Sequence, residues 1–243
     1  MKIVYSLWTA PYVAKGTIKT GNFGFLSRHY FACSALLSVR LAKKHGYTTE
    51  LVTDDLGKQI LIDELNLPFD RVVLALNELQ APHTIWMAGK LVAYALQQEP
   101  FLHCDFDAFL FAPVDDYMAR CGGIAYQSNE PFRQFNYYEN GIRNVLKLAT
   151  YLPKEFIGYE KDNCYQKILR GVCFLQSQAD PACVPYRNRM AICAGVFGGS
   201  DIKAINDYAS KALAMIERND FSSLSAGELN DLNIVIEQYF AAS

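Results

Sequence analysis

A chain of 243 residues, 51% hydrophobic and 20% charged, can bury one substantial core, and a single domain over residues 1–243 is the default. Its 23 basic and 25 acidic residues are mixed along the chain and leave a formal net charge of -2, which excludes the basic footprint that nucleic-acid binding needs. The apolar run at Met1–Trp8 is too short for a signal peptide and no later stretch would span a bilayer, so a cytoplasmic protein is expected.

The chain opens with a strand, Lys2 to Leu7, followed by an amphipathic helix from Phe25 to His45 that Gly46 ends. Tyr47 to Thr53 reads as the next strand, and Lys58 to Leu65 as a helix closed by Leu67-Pro68. Arg71 to Leu76 is a third strand and Ile85 to Gln97 a further helix. Phe101 to Phe111, almost continuously apolar, has the pattern of a central strand buried on both faces. This repeated alternation of strand and helix predicts an α/β fold with a mixed, mostly parallel sheet between helices.

Beyond Pro113 the order loosens. Gly123 to Gln127 reads as a strand and Asn136 to Tyr151 as a helix, while Asp162 to Arg189 gives no clear pattern. Ala191 to Gly199 is a strand entering a glycine turn, after which Asp201 caps a helix reaching Asn219. Glu228 to Phe240 is the last helix, and the abrupt end at Ser243 leaves room for a missing tail. The cysteines Cys33, Cys104, Cys121, Cys164, Cys173, Cys183 and Cys193 are odd in number and lack CxxC spacing. A disulfide framework or zinc site is therefore not expected, and most should be small buried hydrophobes.

The chemistry concentrates in Phe101-Leu102-His103-Cys104-Asp105-Phe106-Asp107, where two carboxylates stand two apart and so face one side of an extended strand. Burying both costs several kcal/mol without a compensating cation or hydrogen bonds. Magnesium or manganese, which suit hard oxygen ligands, is the economical compensation, and capping by backbone amides is the structural alternative. No Walker loop, Gly-x-Gly-x-x-Gly fingerprint or serine-histidine-aspartate order is present.

An apolar strand ending in Asp105-Phe106-Asp107, set after alternating strands and helices, resembles the Asp-x-Asp motif of GT-A glycosyltransferases. The resemblance implies a GT-A-like fold with a Rossmann-like nucleotide-binding half over residues 1–112 and an acceptor- and sugar-binding half over 113–243. It implies a divalent metal, manganese or magnesium, on Asp105 and Asp107, a nucleoside-diphosphate sugar as donor, a UDP-sugar in the first instance, and a saccharide acceptor. It places nucleotide contacts at Tyr5, Ser6 and Trp8 where the first strand ends, at Asp54 where the second ends, at Lys90 on the helix leading into the Asp-x-Asp strand and at Asp105 itself. Each has a plain alternative: core packing for the aromatics, helix capping for Asp54, a solvated surface lysine for Lys90.

The run Cys193-Ala194-Gly195-Val196-Phe197-Gly198-Gly199 is similar to the glycine-rich stretch of these enzymes, with Cys193 in place of the usual asparagine. Gly195, Gly198 and Gly199 are accordingly candidates for contact with sugar or acceptor, or simply glycines that a tight turn requires. Near the end, Leu229 to Gln238 resembles the acidic helix of the family, which makes Glu237 the leading catalytic carboxylate and Asp231 the second, with an ordinary helix carboxylate as the alternative. The histidine that completes the metal shell in some relatives has no counterpart after His103, so water completes it or the site is incomplete. Two rival readings remain. A nucleotidyltransferase would carry a basic glycine-rich loop where this chain has Trp8 to Gly16, and a noncatalytic protein would keep the fold and bind a nucleotide-sugar or a partner.

Overall fold

A computed structural model describes residues 1–18, 21–131, 136–156 and 190–242. Among these residues, β1 (Lys2–Leu7), β2 (Thr48–Thr53), β3 (Arg71–Val73), β4 (Phe101–Cys104), β5 (Ile124–Pro131) and β6 (Met190–Gly199) form one six-stranded sheet ordered β3-β2-β1-β4-β6-β5. β1 pairs in parallel with β2 and β4, and β2 with β3, while β6 runs antiparallel to β4 with Phe101 opposite Gly199. The chain is thus α/β with a mixed sheet flanked by helices. From β1 it passes to β2 and β3 on one side and returns to β4 on the other. A reversal of strand order of this kind opens a crevice at the carboxyl ends of the two central strands.

Strand alternation assigns the two faces. Ile3, Tyr5 and Leu7 of β1, Leu51 of β2 and Leu102 and Cys104 of β4 share a core with Phe31, Ala35, Val39 and Ala42 of α2 (Arg28–Lys44). The opposite face carries His103 and Phe101 against Tyr94 of α4 (Ala88–Ala95), with ring centroids 5.2 and 6.2 Å away. Between β1 and α2 lies α1 (Ala10–Ala14). α2 begins three residues after the expected start because the Ser27 side chain accepts from the Tyr30 N–H and fixes the cap there. The helix expected at Lys58 starts earlier, as α3 (Asp55–Lys58) capped by Asp54, and continues as a π-helical turn through Gln59–Glu64.

The strand expected from Phe101 to Phe111 ends at Cys104. After Asp105 the chain turns, with the Ala108 N–H donating to the Asp105 carbonyl at 3.0 Å. The apolar run has a different cause from strand burial. Phe106 folds back onto Tyr5 and Phe31, at ring separations of 5.5 and 5.6 Å, and Leu110 joins the same core. Two α2 side chains and that of its C-cap, His45, hold this irregular stretch: Ser34 donates to the Phe106 carbonyl, Ser38 to that of Ala108 and His45 to that of Leu110. Its carbonyls are therefore satisfied without a strand partner. The two aspartates sit in a turn, so the strand-face argument for pairing them does not apply.

The chain divides into two compact units, residues 1–127 with 194–210 and residues 128–193 with 211–243. The helix α5 (Asp115–Arg120) belongs to the first, and α7 (Ile202–Arg218) runs from the first into the second. In the second unit, α6 (Asn136–Leu148) packs on α8 (Ala226–Ile234). Gly141 makes this close approach feasible, since a Cβ there would lie 2.6 Å from the Asp231 carbonyl. Asn219 binds the Thr150 and Tyr151 amides and the Tyr151 and Met215 carbonyls. α8 opens with a capping box between Ser225 and Glu228 and continues as a π-helical turn, Val235–Tyr239. The stretch Asp162 to Arg189 lies outside the described residues. Among the described cysteines Cys104 is buried, Cys121 and Cys193 are half-buried and Cys33 is exposed, so the small-hydrophobe reading holds for Cys104. No helix among the described residues is long and apolar enough to cross a membrane.

Candidate functional site

The crevice at the ends of β1 and β4 contains an ion pair. Asp105, the first residue beyond β4, is held by its N–H donating to the Gly195 carbonyl at 2.8 Å. From α4, the Lys90 ammonium lies 2.7 Å from Asp105 Oδ1 and 2.8 Å from Oδ2, bridging both carboxylate oxygens. The two side chains are 12% and 30% exposed, sheltered enough for the attraction to count yet open enough to be reached. Beneath them, Ser6 Oγ and His103 Nε2 are 2.9 Å apart, and His103 Nδ1 lies 3.9 Å from Asp105 Oδ1 without a hydrogen bond. Burial, reinforced by the Lys90 charge, pushes the His103 imidazole well below its ordinary range, so it is neutral. The Tyr12 phenol of α1 is pushed up by burial and by the Asp105 charge, with Lys90 opposing, which places it within the field of the pair.

Beside this pair a cavity of about 640 Å³ opens at the carboxyl ends of β1 and β2, with Trp8, Asp55, Leu76, Asn77 and His83 among its walls. Trp8 meets His83 edge to face at 5.8 Å. The residue before Lys90 is Gly89, where a Cβ would lie 2.8 Å from the Trp8 Cβ. Glycine there lets α4 close on Trp8, so the cavity wall and the helix carrying Lys90 pack as one piece.

Asp54 lines the same cavity with its carboxylate fully engaged. Oδ2 accepts from the Thr9 N–H and hydroxyl at 2.7 and 2.8 Å, and Oδ1 from the Gly57 N–H at 2.8 Å. Of the two roles open to it, capping is the one observed: it starts α3 and ties the β1 loop to the end of β2. Asp54→Ala is expected to cost about 2 kcal/mol in a denaturant melt, the upper range for a lost N-cap, because a buried acceptor of three bonds goes with it. Asp54→Asn should retain the Gly57 bond and cost less.

Tyr5 is sealed in the core, fully buried, with its hydroxyl 3.1 Å from Ser38 Oγ and its ring stacked on Phe106. No face remains for a nucleobase, and core packing is its role. Gly198 and Gly199 are likewise structural. A Cβ at Gly198 would come within 2.3 Å of the Phe101 carbonyl, and one at Gly199, where φ is +151°, within 1.9 Å of the Gly123 carbonyl. Gly195 differs, since its Cβ would meet only the tip of Gln127 at 2.6 Å and approach Asp105 Oδ2 at 3.8 Å. Glu237 and Asp231 belong to the second unit. Glu237 is buried, and burial pushes the Asp231 carboxyl above the ordinary carboxylate range, with Asn140 partly opposing.

Asp107 is exposed two residues past Asp105. Among the described residues no three His, Cys, Asp or Glu side chains come together as a metal cage. Magnesium is commonly held by one or two carboxylates plus the phosphates of a substrate, a mode that needs no such cage. Asp105, both of whose carboxylate oxygens meet Lys90, and Asp107 are the two carboxylates such a mode would use.

A model described as a family of unknown function (DUF6734) matches residues 1–173 and 163–243, together the full chain. The chain belongs to this family. A search of curated proteins finds no match. In this family member Tyr12, Asn77, His83 and Gln127 join the crevice without any motif to announce them, and only the topology that brings loop ends together could have revealed them.

Proposed function

We propose that this protein is a GT-A-type glycosyltransferase that transfers a sugar from a nucleoside-diphosphate sugar, a UDP-sugar in the first instance, to a saccharide acceptor. The observation that carries the reading is a nucleoside-sized cavity at the ends of β1 and β2 whose wall, Trp8, packs against Gly89 of the helix that brings Lys90 to Asp105. In this reading Trp8 and His83 wall the base, Asn77 and Asp55 offer polar groups to base or ribose, and Ser6 lies below the sugar–phosphate path.

Lys90 supplies a fixed positive charge toward the diphosphate, where charge builds as the sugar–oxygen bond breaks. A magnesium or manganese ion on Asp105 and Asp107 would add Lewis-acid neutralisation of the departing diphosphate. Gly195 spares the site a Cβ that would stand 3.8 Å from Asp105 Oδ2, where the sugar would lie.

The reading is tested by incubating the protein with a panel of nucleoside-diphosphate sugars and manganese and measuring release of the nucleoside diphosphate. Release from one nucleotide class is expected. Absence of release with retained nucleotide binding would favour a noncatalytic nucleotide-sugar-binding protein.

A further inference from the structure

The position of Lys90 has a consequence for the order in which ligands enter the site, and this rests on the donor-site reading above. The ammonium spans both oxygens of Asp105, at 2.7 and 2.8 Å. A divalent cation would seek the same carboxylate, because a partly sheltered charge offers it more than a solvated one. Two cations on one carboxylate repel, and with the Lys90 and Asp105 side chains 12% and 30% exposed water screens that repulsion only in part. Asp107 is exposed and does not offer Lys90 a sheltered alternative.

We propose that Lys90 and the divalent metal compete for Asp105, and that a bound diphosphate relieves the competition by accepting the ammonium. Metal alone then binds weakly, and metal and diphosphate each strengthen the binding of the other. By linkage the gain is reciprocal. Lys90 is a positioning residue as well as a phosphate ligand: it keeps the site closed to metal until the donor is present.

The test is binding of manganese alone, followed by loss of the free-ion paramagnetic resonance signal, to the wild-type chain, Lys90→Met and Lys90→Arg. Lys90→Met should bind manganese about tenfold more tightly than wild type, a size within the usual range of site–site coupling. Lys90→Arg, which keeps the charge, should stay near wild type, and adding Asp105→Asn to Lys90→Met should remove the gain. Equal manganese affinity in wild type and Lys90→Met would overturn the competition while leaving the metal reading standing. No manganese binding to any variant would overturn both.

Discussion

Asp105→Asn is expected to reduce the proposed sugar transfer by roughly 10²–10³-fold, the usual cost of removing one fixed electrostatic group from a site where charge develops. The asparagine keeps the shape of the turn and the N–H bond to the Gly195 carbonyl, which is a backbone contact. What disappears is the negative charge that holds Lys90 and on which the proposed metal site depends. The same change leaves the Lys90 ammonium, 12% exposed, without its carboxylate, and a modest loss of stability of about 1–2 kcal/mol should accompany it. Lys90→Met combined with Asp105→Asn separates the two effects. Stability should return toward wild type in a denaturant melt, while transfer stays lost.

Gly199→Ala should destabilise the fold by about 4 kcal/mol, combining a strained positive φ with an overpacked contact. For a chain of this size that corresponds to a fall of about 8–16 °C in melting temperature. The clash is with the Gly123 carbonyl, which also accepts the N–H groups of Ser200 and Asp201, so the alanine would pry open the turn between β6 and α7. Gly195→Ala meets only the end of the exposed Gln127 side chain, which can rotate away, and should shift stability by no more than about 0.5 kcal/mol. Its expected effect is on donor use, because the new methyl group intrudes beside Asp105. Melting curves and nucleotide release measured on both variants check the division of the glycines into structural and site-forming. Similar melts for the two would contradict it.

The sequence carries the parallel half of the sheet well. β1 and β2 are runs of apolar and β-branched residues bounded by polar turns, and α2 has a helical apolar stripe with a glycine stop, so period and punctuation agree. It misleads between Asp105 and Phe111. Phe106 and Leu110 look like strand interior, but they are buried by folding back onto α2, and the serines of α2 that make this tenable give no local signal. Among site residues, Lys90 meets Asp105 in an ion pair that the sequence reading, which aimed Lys90 at ribose or phosphate, does not contain; α4 leads directly into β4 and brings the two together. Tyr5 and Asp54 resolve to packing and capping, alternatives that the chain alone leaves open because both roles demand the same residue types at a strand end. His83 and Asn77 were out of reach of any spacing argument, since they enter the cavity from an irregular segment after β3.

The central claim is a donor site at the ends of β1, β2 and β4. It is tested most directly by thermal melting of the wild-type protein against a panel of nucleoside diphosphates, with and without manganese. A nucleotide at a hundred times its dissociation constant should add about 2.7 kcal/mol, or about 5–11 °C for a chain of this size. The account predicts such a rise for one nucleotide class, larger with manganese than without it. No rise with any nucleotide, in either condition, would contradict it.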